Sequence, residues 1–219
     1  ANAIYIDIVI TEGRQYTVAD IRLEGNVKFP AVEIWERLAM QPGSVYSPEY
    51  MRDDLTNIRK YYHEKGYIEA SVNPELKFDR DNGRVFIVYR IAEDQVYYVD
   101  KVRIRGNVKT QDIVIRREVR IFPGEKINGK QLDISRRRLE DLNYFDEVTY
   151  EIEQGSEPNT RDVIFKVKEK QTGELSFGGG VSSIESFLGF VELSQNNFDL
   201  FNWPTFTGAG QRMSIKGRY

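Results

Sequence analysis

The feature that most constrains the fold of this chain is an internal repeat. The residues around Gly25-Asn26 recur around Gly106-Asn107, 81 positions later, and Pro42-Gly43 and Pro123-Gly124 keep the same spacing. Self-similarity at a fixed spacing indicates that one supersecondary unit has been used twice. Whatever one copy folds into, the other is therefore expected to fold into as well.

Each copy is predicted to begin with a strand and two helices. Alternating apolar residues predict a strand that ends at the Gly-Asn turn, and short helices are expected around Ala31–Ala39 and Gln111–Val119. A longer helix with one apolar stripe follows each Pro-Gly turn, and in the first copy the stripe is Met51, Leu55, Ile58 and Tyr62. Ser47 is a suitable N-cap in the first copy, with Pro48 at the first helical position, and Asn128 is the corresponding cap in the second.

Two strands are predicted to close each copy. Tyr67–Asp79 alternates apolar and polar residues, and Pro74 places this strand at a sheet edge because proline cannot donate to a ladder. The nearly continuous apolar run Val85–Tyr89 is typical of a central strand. In the second copy the strand pair should bring together two apolar sets, Val148, Tyr150 and Ile152 with Val163, Phe165 and Val167. Each copy is therefore predicted to be a β-α-α-β-β unit.

From Gly173 onward the sequence becomes rich in glycine, serine and aromatic residues. Candidate strands are Leu175–Val181, Phe187–Gln195 and the alternating segment that ends at Tyr219. Alternation with one apolar face is typical of outer-membrane strands, but an ordinary two-faced soluble sheet shows it as well, and both interpretations stay open. Since a closed barrel needs at least about eight strands, three would form only part of one.

The composition argues against an enzyme and against a nucleic-acid-binding protein. The chain has 219 residues, a formal net charge of −3, one histidine and no cysteine. These counts leave no histidine pair, no thiolate and no basic field. Gly178-Gly179-Gly180 and Gly208-Ala209-Gly210 do not lie between a strand and a helix, so neither predicts a phosphate loop. We therefore expect no catalytic residue, no metal, no cofactor, no nucleic acid and no small-molecule substrate.

Several motifs connect the repeats to a known family. They are the two Gly-Asn turns, Lys65-Gly66-Tyr67, Ile115–Arg120, Leu142–Phe145, Val167–Gly173 and Asn196-Asn197-Phe198. On these motifs the repeats resemble polypeptide-transport-associated (POTRA) domains, and the run as a whole resembles the barrel-proximal part of the BamA family. The sequence departs from the family pattern at Asp199–Thr207, which lengthens a turn that is expected to be short.

The resemblance implies an α+β fold of two tandem β-α-α-β-β POTRA modules followed by the first antiparallel strands of a transmembrane β-barrel. Residues 1–12 are then expected to be the tail strand of a preceding module. Residues 13–94 form one module and residues 95–171 the barrel-proximal module. Residues 172–219 are expected to form the first strands of an incomplete outer-membrane barrel.

The resemblance also implies a function. It predicts a non-enzymatic insertase that folds β-barrel proteins into a Gram-negative-type outer membrane, with its modules in the periplasm. The mechanism would be strand templating, in which an incoming unfolded strand pairs with an exposed β-edge. The implied partners are unfolded outer-membrane β-barrel proteins, accessory assembly lipoproteins and outer-membrane lipid. Two other functions stay open: a sister transporter for autotransporter biogenesis or two-partner secretion, and a structural spacer and docking scaffold.

Three candidate sites follow, each with an ordinary alternative. Alternation and Pro74 predict that the first module's strand offers an edge for an incoming chain, at Ile68, Glu69, Ala70, Ser71, Val72 and Asn73. The resemblance places the barrel's active edge at Leu175, Ser176, Phe177, Gly178, Gly179 and Gly180, and docking of accessory lipoproteins near Arg116, Arg117, Glu118 and Arg120. For the first module's strand, the alternative is a solvated edge that is protected from pairing. For the barrel strand, the alternative is that the glycines only relieve crowding. For the arginines and Glu118, the alternative is an ordinary solvated helix end.

Overall fold

The computed structural model describes residues 13–180 and 188–218. In chain order the elements are β1 (Thr17–Glu24), α1 (Ala31–Trp35), α2 (Pro48–Glu64), β2 (Ser71–Asp79), β3 (Arg84–Ala92), β4 (Tyr98–Arg105), α3 (Asp112–Arg116), α4 (Gly129–Asp141), β5 (Phe145–Gln154), β6 (Thr160–Glu169), β7 (Gly173–Gly180), β8 (Leu188–Phe198) and β9 (Gln211–Arg218). The tail strand predicted for residues 1–12 lies outside the described residues, as do Val181, Phe187 and Tyr219.

The described residues divide into two compact units. The first contains the residues up to Tyr62 together with Glu69–Asp94, and the second contains His63–Ile68 and the residues from Gln95 onward. Within the part of the chain that the structure describes, no helix is long and apolar enough to cross a membrane.

Each repeat forms a three-stranded sheet with the same topology. The order is β1-β3-β2 in the first copy and β4-β6-β5 in the second, and in both the first strand runs parallel to the last. The predicted β-α-α-β-β fold is confirmed, and β3 is the central strand as expected. In the second copy Val148 pairs with Val167, Tyr150 with Phe165 and Ile152 with Val163, which confirms the predicted pairing.

The long helices begin and end where the sequence predicts. The Asn128 side chain accepts hydrogen bonds from the N–H groups of Lys130 and Gln131 at the start of α4. Gly66 and Asn143 follow the two helices with φ values of 97° and 60°, the left-handed conformation that ends a helix. The predicted stripe on α2 is confirmed at Ile58 and Tyr62, whereas Met51 and Leu55 are only half-buried. The other buried residues of α2 are Asp54 and Tyr61.

The Gly-Asn turn is a joint between the first strand and the last strand of each module. A Cβ on Gly25 would lie 2.1 Å from the Ile91 carbonyl oxygen, and one on Gly106 would lie 2.0 Å from that of Val167, so only glycine fits. The asparagine amide then closes the turn onto the backbone three residues later in both copies. The repeated motif is thus explained by close backbone packing.

The two copies use different side chains to satisfy equivalent backbone N–H groups. In the first, the Asp54 carboxylate accepts from the Ala39 N–H at 2.5 Å, from the Met40 N–H and from the Tyr89 hydroxyl at 2.7 Å. Burial raises the pKa of Asp54, although these hydrogen bonds oppose it. In the second copy Ser135 lies at the position of Asp54 and accepts from the Arg120 N–H at 2.8 Å.

The third sheet is antiparallel and has the order β7-β8-β9. Its strands overlap the three predicted ones, but β8 continues to Phe198. The loop between β8 and β9 contains a cis peptide bond between Trp203 and Pro204.

Candidate functional site

The candidate edge in the first module is shorter than the sequence predicts. Ser71, Val72 and Asn73 lie on β2, but Ile68 and Glu69 form a turn and Ala70 precedes the strand, so the prediction of a strand over these three residues is wrong. The physical reason is that Ile68 packs against the apolar cluster of the second unit. The chain therefore has to turn before it can enter β2.

The β2 strand forms one side of the first module's sheet, and β3 lies on its inner side. The opposite side of the sheet is partly closed, because the Val18 N–H donates to the Ser44 carbonyl and the Val18 carbonyl accepts from the Gly43 N–H. Among the described residues no strand pairs with the outer side of β2. This side therefore offers backbone groups to an extended chain.

A shallow cavity of about 290 Å³ lies on the first module's sheet beside this edge. Its wall combines the central strand with charged residues from both outer strands: Asp20, Arg22, Glu75, Lys77, Phe86, Ile87 and Val88. An apolar floor with charged rims can accept the alternate side chains of an added strand.

All six residues of the second candidate edge lie on β7, which is an outer strand of the third sheet. The glycines there differ in what surrounds them. A Cβ on Gly178 would lie 2.7 Å from the Phe190 ring on β8, whereas one on Gly180 would meet nothing within 4 Å. Gly178 therefore makes room for a neighbouring aromatic side chain, which favours the interpretation that it relieves crowding.

The third sheet has one apolar face and one polar face. Cross-strand pairing aligns Leu175 with Leu193 and Ile215, and Phe177 with Val191, and all of these side chains are exposed. We call these five residues the apolar face. On the opposite face, cross-strand pairing aligns Ser176, Glu192 and Lys216. Lys216 and Glu192 form an ion pair at 3.2 Å.

The charged residues predicted to dock a partner lie at the end of α3. Arg116 forms an ion pair with Asp112 on the same helix, and the backbone N–H of Arg120 is bonded to Ser135. Glu118 is different, because its largely buried carboxylate accepts two hydrogen bonds from Arg138, at 2.6 and 3.1 Å. The structure thus leaves three exposed arginines and gives Glu118 an internal partner.

Exposed apolar side chains adjoin these arginines. We call Ile113, Arg116, Arg117, Arg120 and Phe122 the docking patch, and all five are exposed. The corresponding residues of the first copy are Val32, Trp35, Glu36, Ala39 and Gln41. The cationic character of the patch therefore belongs to the second module alone.

A set of contacts between the second module and the loop Asp199–Gly210 is not predicted by the sequence. The buried Asn197 amide donates to the Thr110 hydroxyl at 2.9 Å and its oxygen accepts from the Gly210 N–H at 2.8 Å. Gln111 donates through its side chain to Asp199 at 2.8 Å and through its N–H to the Gly208 carbonyl at 2.9 Å. We call these contacts the loop clamp.

No local sequence signal could have revealed the loop clamp. Asn197 belongs to the motif Asn196-Asn197-Phe198, but its partner Thr110 lies 87 residues away in an otherwise ordinary turn. A Cβ on Gly208 would lie 2.3 Å from the Lys109 carbonyl oxygen, so the glycine permits close contact here too. The lengthened turn predicted at Asp199–Thr207 is therefore an ordered loop that binds the module.

Glu169, from the motif that leads into β7, binds the turn that contains Thr110. Its carboxylate accepts from the N–H groups of Val108, Lys109 and Thr110, at distances from 2.6 to 3.1 Å. Burial alone would raise the pKa of Glu169, but the hydrogen bonds from Thr110, Lys109 and Val108 outweigh it and the pKa is lowered. Glu93 holds the Lys28 N–H in the same way in the first copy.

Comparison with known proteins identifies the class to which this architecture belongs. A family model described as POTRA, surface antigen variable number repeat, matches residues 16–94 and again residues 97–170. These matches cover more than half of the chain, and the chain belongs to the POTRA family.

Curated relatives narrow the resemblance further. The outer membrane protein assembly factor BamA of Neorickettsia risticii (strain Illinois) is 29% identical over 191 residues, which are 86% of this chain and 25% of that protein. BamA of Buchnera aphidicola subsp. Acyrthosiphon pisum (strain APS) is 26% identical over 213 residues, which are 96% of this chain and 33% of that protein. The chain thus spans about a quarter to a third of these relatives. They are named as assembly factors and not as enzymes.

Solved structures show the same fold. BamA from Haemophilus ducreyi lacking POTRA domains 1–3 superposes with a TM-score of 0.78 at 24% identity, over 93% of this chain and 37% of that chain. POTRA3-5 of Haemophilus influenzae BamA gives a TM-score of 0.66 at 26% identity, over 70% of this chain and 61% of that chain. The predicted resemblance to BamA-type assembly factors is confirmed.

Proposed function

We propose that this chain is part of a non-enzymatic factor that assembles β-barrel proteins into the outer membrane. It would contain two POTRA modules and the first membrane strands that follow them. The observation that carries the proposal is that both candidate edges, β2 and β7, are outer strands of antiparallel pairs. An incoming unfolded strand can satisfy the outer backbone groups by β-augmentation, which needs no nucleotide and no catalytic side chain.

The proposal includes the location of the chain. The modules lie in the periplasm, and the third sheet lies in the outer membrane with its apolar face toward lipid. The exposure of all five residues of that face supports this placement, since alternating strands in a membrane carry one apolar side. The names of the relatives support the substrate class, which is unfolded outer-membrane protein.

Photocrosslinking in cells tests the edge proposal with matched probes. A probe at Asn73 lies on the outer strand β2, and Arg90 is its direct partner on the central strand β3. Ser176 on β7 and Glu192 on β8 form the equivalent pair in the third sheet. Templating predicts crosslinks to nascent barrel proteins from Asn73 and Ser176 and few from Arg90 and Glu192.

The identity of the crosslinked clients separates the other candidate functions. Several unrelated barrel proteins indicate a general insertase, whereas one client indicates a dedicated transporter. Equal crosslinking from both members of each pair would mean that the sheet face, not its edge, contacts the client. An absence of crosslinks from a correctly folded protein would contradict templating and favour a structural scaffold.

We further propose that the docking patch binds an accessory assembly lipoprotein. The support is its combination of two exposed apolar side chains with three arginines, a composition enriched at protein interfaces. Arg120→Glu together with Phe122→Ser should abolish co-purification of the partner while the barrel still assembles. Unchanged co-purification would contradict the proposal.

Glu118 needs a test of its own because of its bond to Arg138. Glu118→Lys alone breaks that ion pair, so lost co-purification would be ambiguous. The double variant Glu118→Arg, Arg138→Glu restores an ion pair of reversed polarity. Recovery of co-purification would show that Glu118 acts through Arg138. Continued loss would assign its role to its other contacts, which are the ion pair with Arg117 at 3.4 Å and the partner itself.

A further inference from the structure

The loop Asp199–Gly210 carries three large apolar side chains on its outside. Phe201 is 93% exposed, Trp203 77% and Leu200 59%. Scattered exposed apolar residues are ordinary on protein surfaces, but three within four positions of one loop form a cluster that indicates an interaction site.

Their exposure does not result from a lack of structure in the loop. The Phe206 N–H donates to the Asn202 carbonyl at 2.6 Å, and the Asp199 N–H donates to the Phe206 carbonyl at 2.9 Å. The Trp203 ring packs edge-on against Phe206 at 5.1 Å, and Phe206 stacks on Phe198 of β8 at 6.2 Å. The loop clamp also ties both ends of the loop to the second module, so the apolar cluster is presented by an ordered platform.

The position of the loop points to its partner. The loop leaves β8 at Phe198 and enters β9 at Gln211, and the paired β7 begins at Gly173, so this is the end of the third sheet that adjoins the second module. In a sheet that crosses a membrane, the strand ends lie at the level of the lipid headgroups. Tryptophan and other aromatic side chains are enriched at that level because they combine an apolar ring with a polar or polarisable edge.

A polar cavity next to the loop agrees with a headgroup environment. It measures about 180 Å³, too small for a typical bound metabolite. Two lysines and several neutral polar residues form its wall: Lys109, Lys170, Gln171, Thr172, Gly173, Gln195 and Thr207. Cationic side chains beside an exposed aromatic cluster are complementary to phosphates beside an acyl boundary.

We propose that Leu200, Phe201 and Trp203 insert into the periplasm-side headgroup layer of the outer membrane, with Lys109 and Lys170 toward the lipid phosphates. Through the loop clamp, this contact would fix the second module against the membrane surface. The proposal rests on the membrane placement proposed for the third sheet and adds a second lipid contact outside the strands.

Fluorescence quenching in vesicles tests the proposal. The full-length protein, freed of any other cysteine, is labelled with a fluorophore at Phe201→Cys, Val191→Cys or Glu157→Cys and reconstituted into phosphatidylethanolamine and phosphatidylglycerol. The vesicles carry nitroxide either on the headgroup or deep in the acyl chain. Because Phe201, Val191 and Glu157 are all exposed, the substitutions should not disturb folding.

We expect the headgroup nitroxide to quench the Phe201 label at least about twofold more than the deep nitroxide does. The Val191 label, on the apolar face, should be quenched by the deep nitroxide, and the Glu157 label, in a turn of the second module, by neither. A quenched Val191 label with an unquenched Phe201 label would overturn the loop proposal and leave the proposed function standing. Stronger quenching of the Phe201 label by the deep nitroxide than by the headgroup nitroxide would also overturn headgroup-level insertion. An unquenched Val191 label would overturn the membrane placement itself.

Discussion

At the scale of single residues, the modules are held by side chains that accept hydrogen bonds from backbone N–H groups in turns. Asp54 and Ser135 hold the turn after the short helix, and Glu93 and Glu169 hold the turn after the first strand. Each is a polar group placed where backbone donors in a turn would otherwise lack a protein partner, and losing such hydrogen bonds costs free energy. These positions should therefore be sensitive to substitution through their role in the fold.

Asp54→Ala should destabilise the first module by about 2–4 kcal/mol, because the backbone donors of Ala39 and Met40 and the Tyr89 hydroxyl lose their acceptor. Urea unfolding followed through Trp35 fluorescence in a Trp203→Phe background measures this. Asp54→Ser combined with Tyr89→Phe copies the arrangement of the second module and should recover part of the loss. A double variant no more stable than Asp54→Ala would contradict the assigned role.

Glu169→Gln should lower the free energy of unfolding by about 1 kcal/mol at neutral pH. The pKa of Glu169 is lowered in the folded state, so its stabilisation is complete above the ordinary carboxyl range and is lost as the pH falls through the lowered pKa. The difference from the parent protein should therefore shrink toward pH 3. Urea titrations across this range test it, with the exposed Glu153→Gln as control. A difference independent of pH would exclude the charge as the cause.

At the scale of elements, the repeat predicted much of the fold. The edge position of β2, the central position of β3, the Asn128 cap and the pairing of the two apolar sets of β5 and β6 follow from local pattern, because periodicity and turn chemistry are encoded within a few residues. The first residue of β2 could not be predicted from local pattern, because Ile68 packs against an apolar cluster that forms only in the tertiary structure. The partner of Asn197 could not be predicted for the same reason: a contact across 87 residues has no local signature.

The third sheet makes a prediction at this scale. Gly178→Ala should disturb the pairing of β7 with β8, because the new methyl group would lie 2.7 Å from the Phe190 ring, whereas Gly180→Ala meets open space. A cost of about 1–3 kcal/mol is typical of overpacking. The folded fraction of the full-length protein in detergent should fall for the first variant only. Phe190→Ala should restore it in the Gly178→Ala background. Equal effects of the two alanine substitutions would show that backbone freedom, not crowding, is what the glycines provide.

At the scale of the whole molecule, the second module and the third sheet belong to one compact unit, and the loop clamp is a physical connection between them. A client strand added to β7 and a lipoprotein bound at the docking patch would act on elements that this clamp joins. Gly210 illustrates the proximity, since a Cβ there would lie 2.8 Å from both the Arg117 guanidinium and Val114 on α3. The clamp is therefore one path by which binding at one site would affect the other.

Asn197→Ala should open the clamp, because both the Thr110 hydroxyl and the Gly210 N–H lose their partner in a buried site. Losing these bonds is expected to cost about 1–2 kcal/mol, so amide exchange at Gly208, Gly210 and Gln111 should accelerate by roughly tenfold. Hydrogen exchange with mass spectrometry on the full-length protein measures this, with the neighbouring Asn196→Ala as control. Faster exchange confined to the loop, with unchanged exchange in β4 and β6, would show that the clamp connects two otherwise stable parts. If exchange rises throughout the second module, Asn197 belongs to the module's own core stability; if exchange does not change, the clamp does not hold the loop.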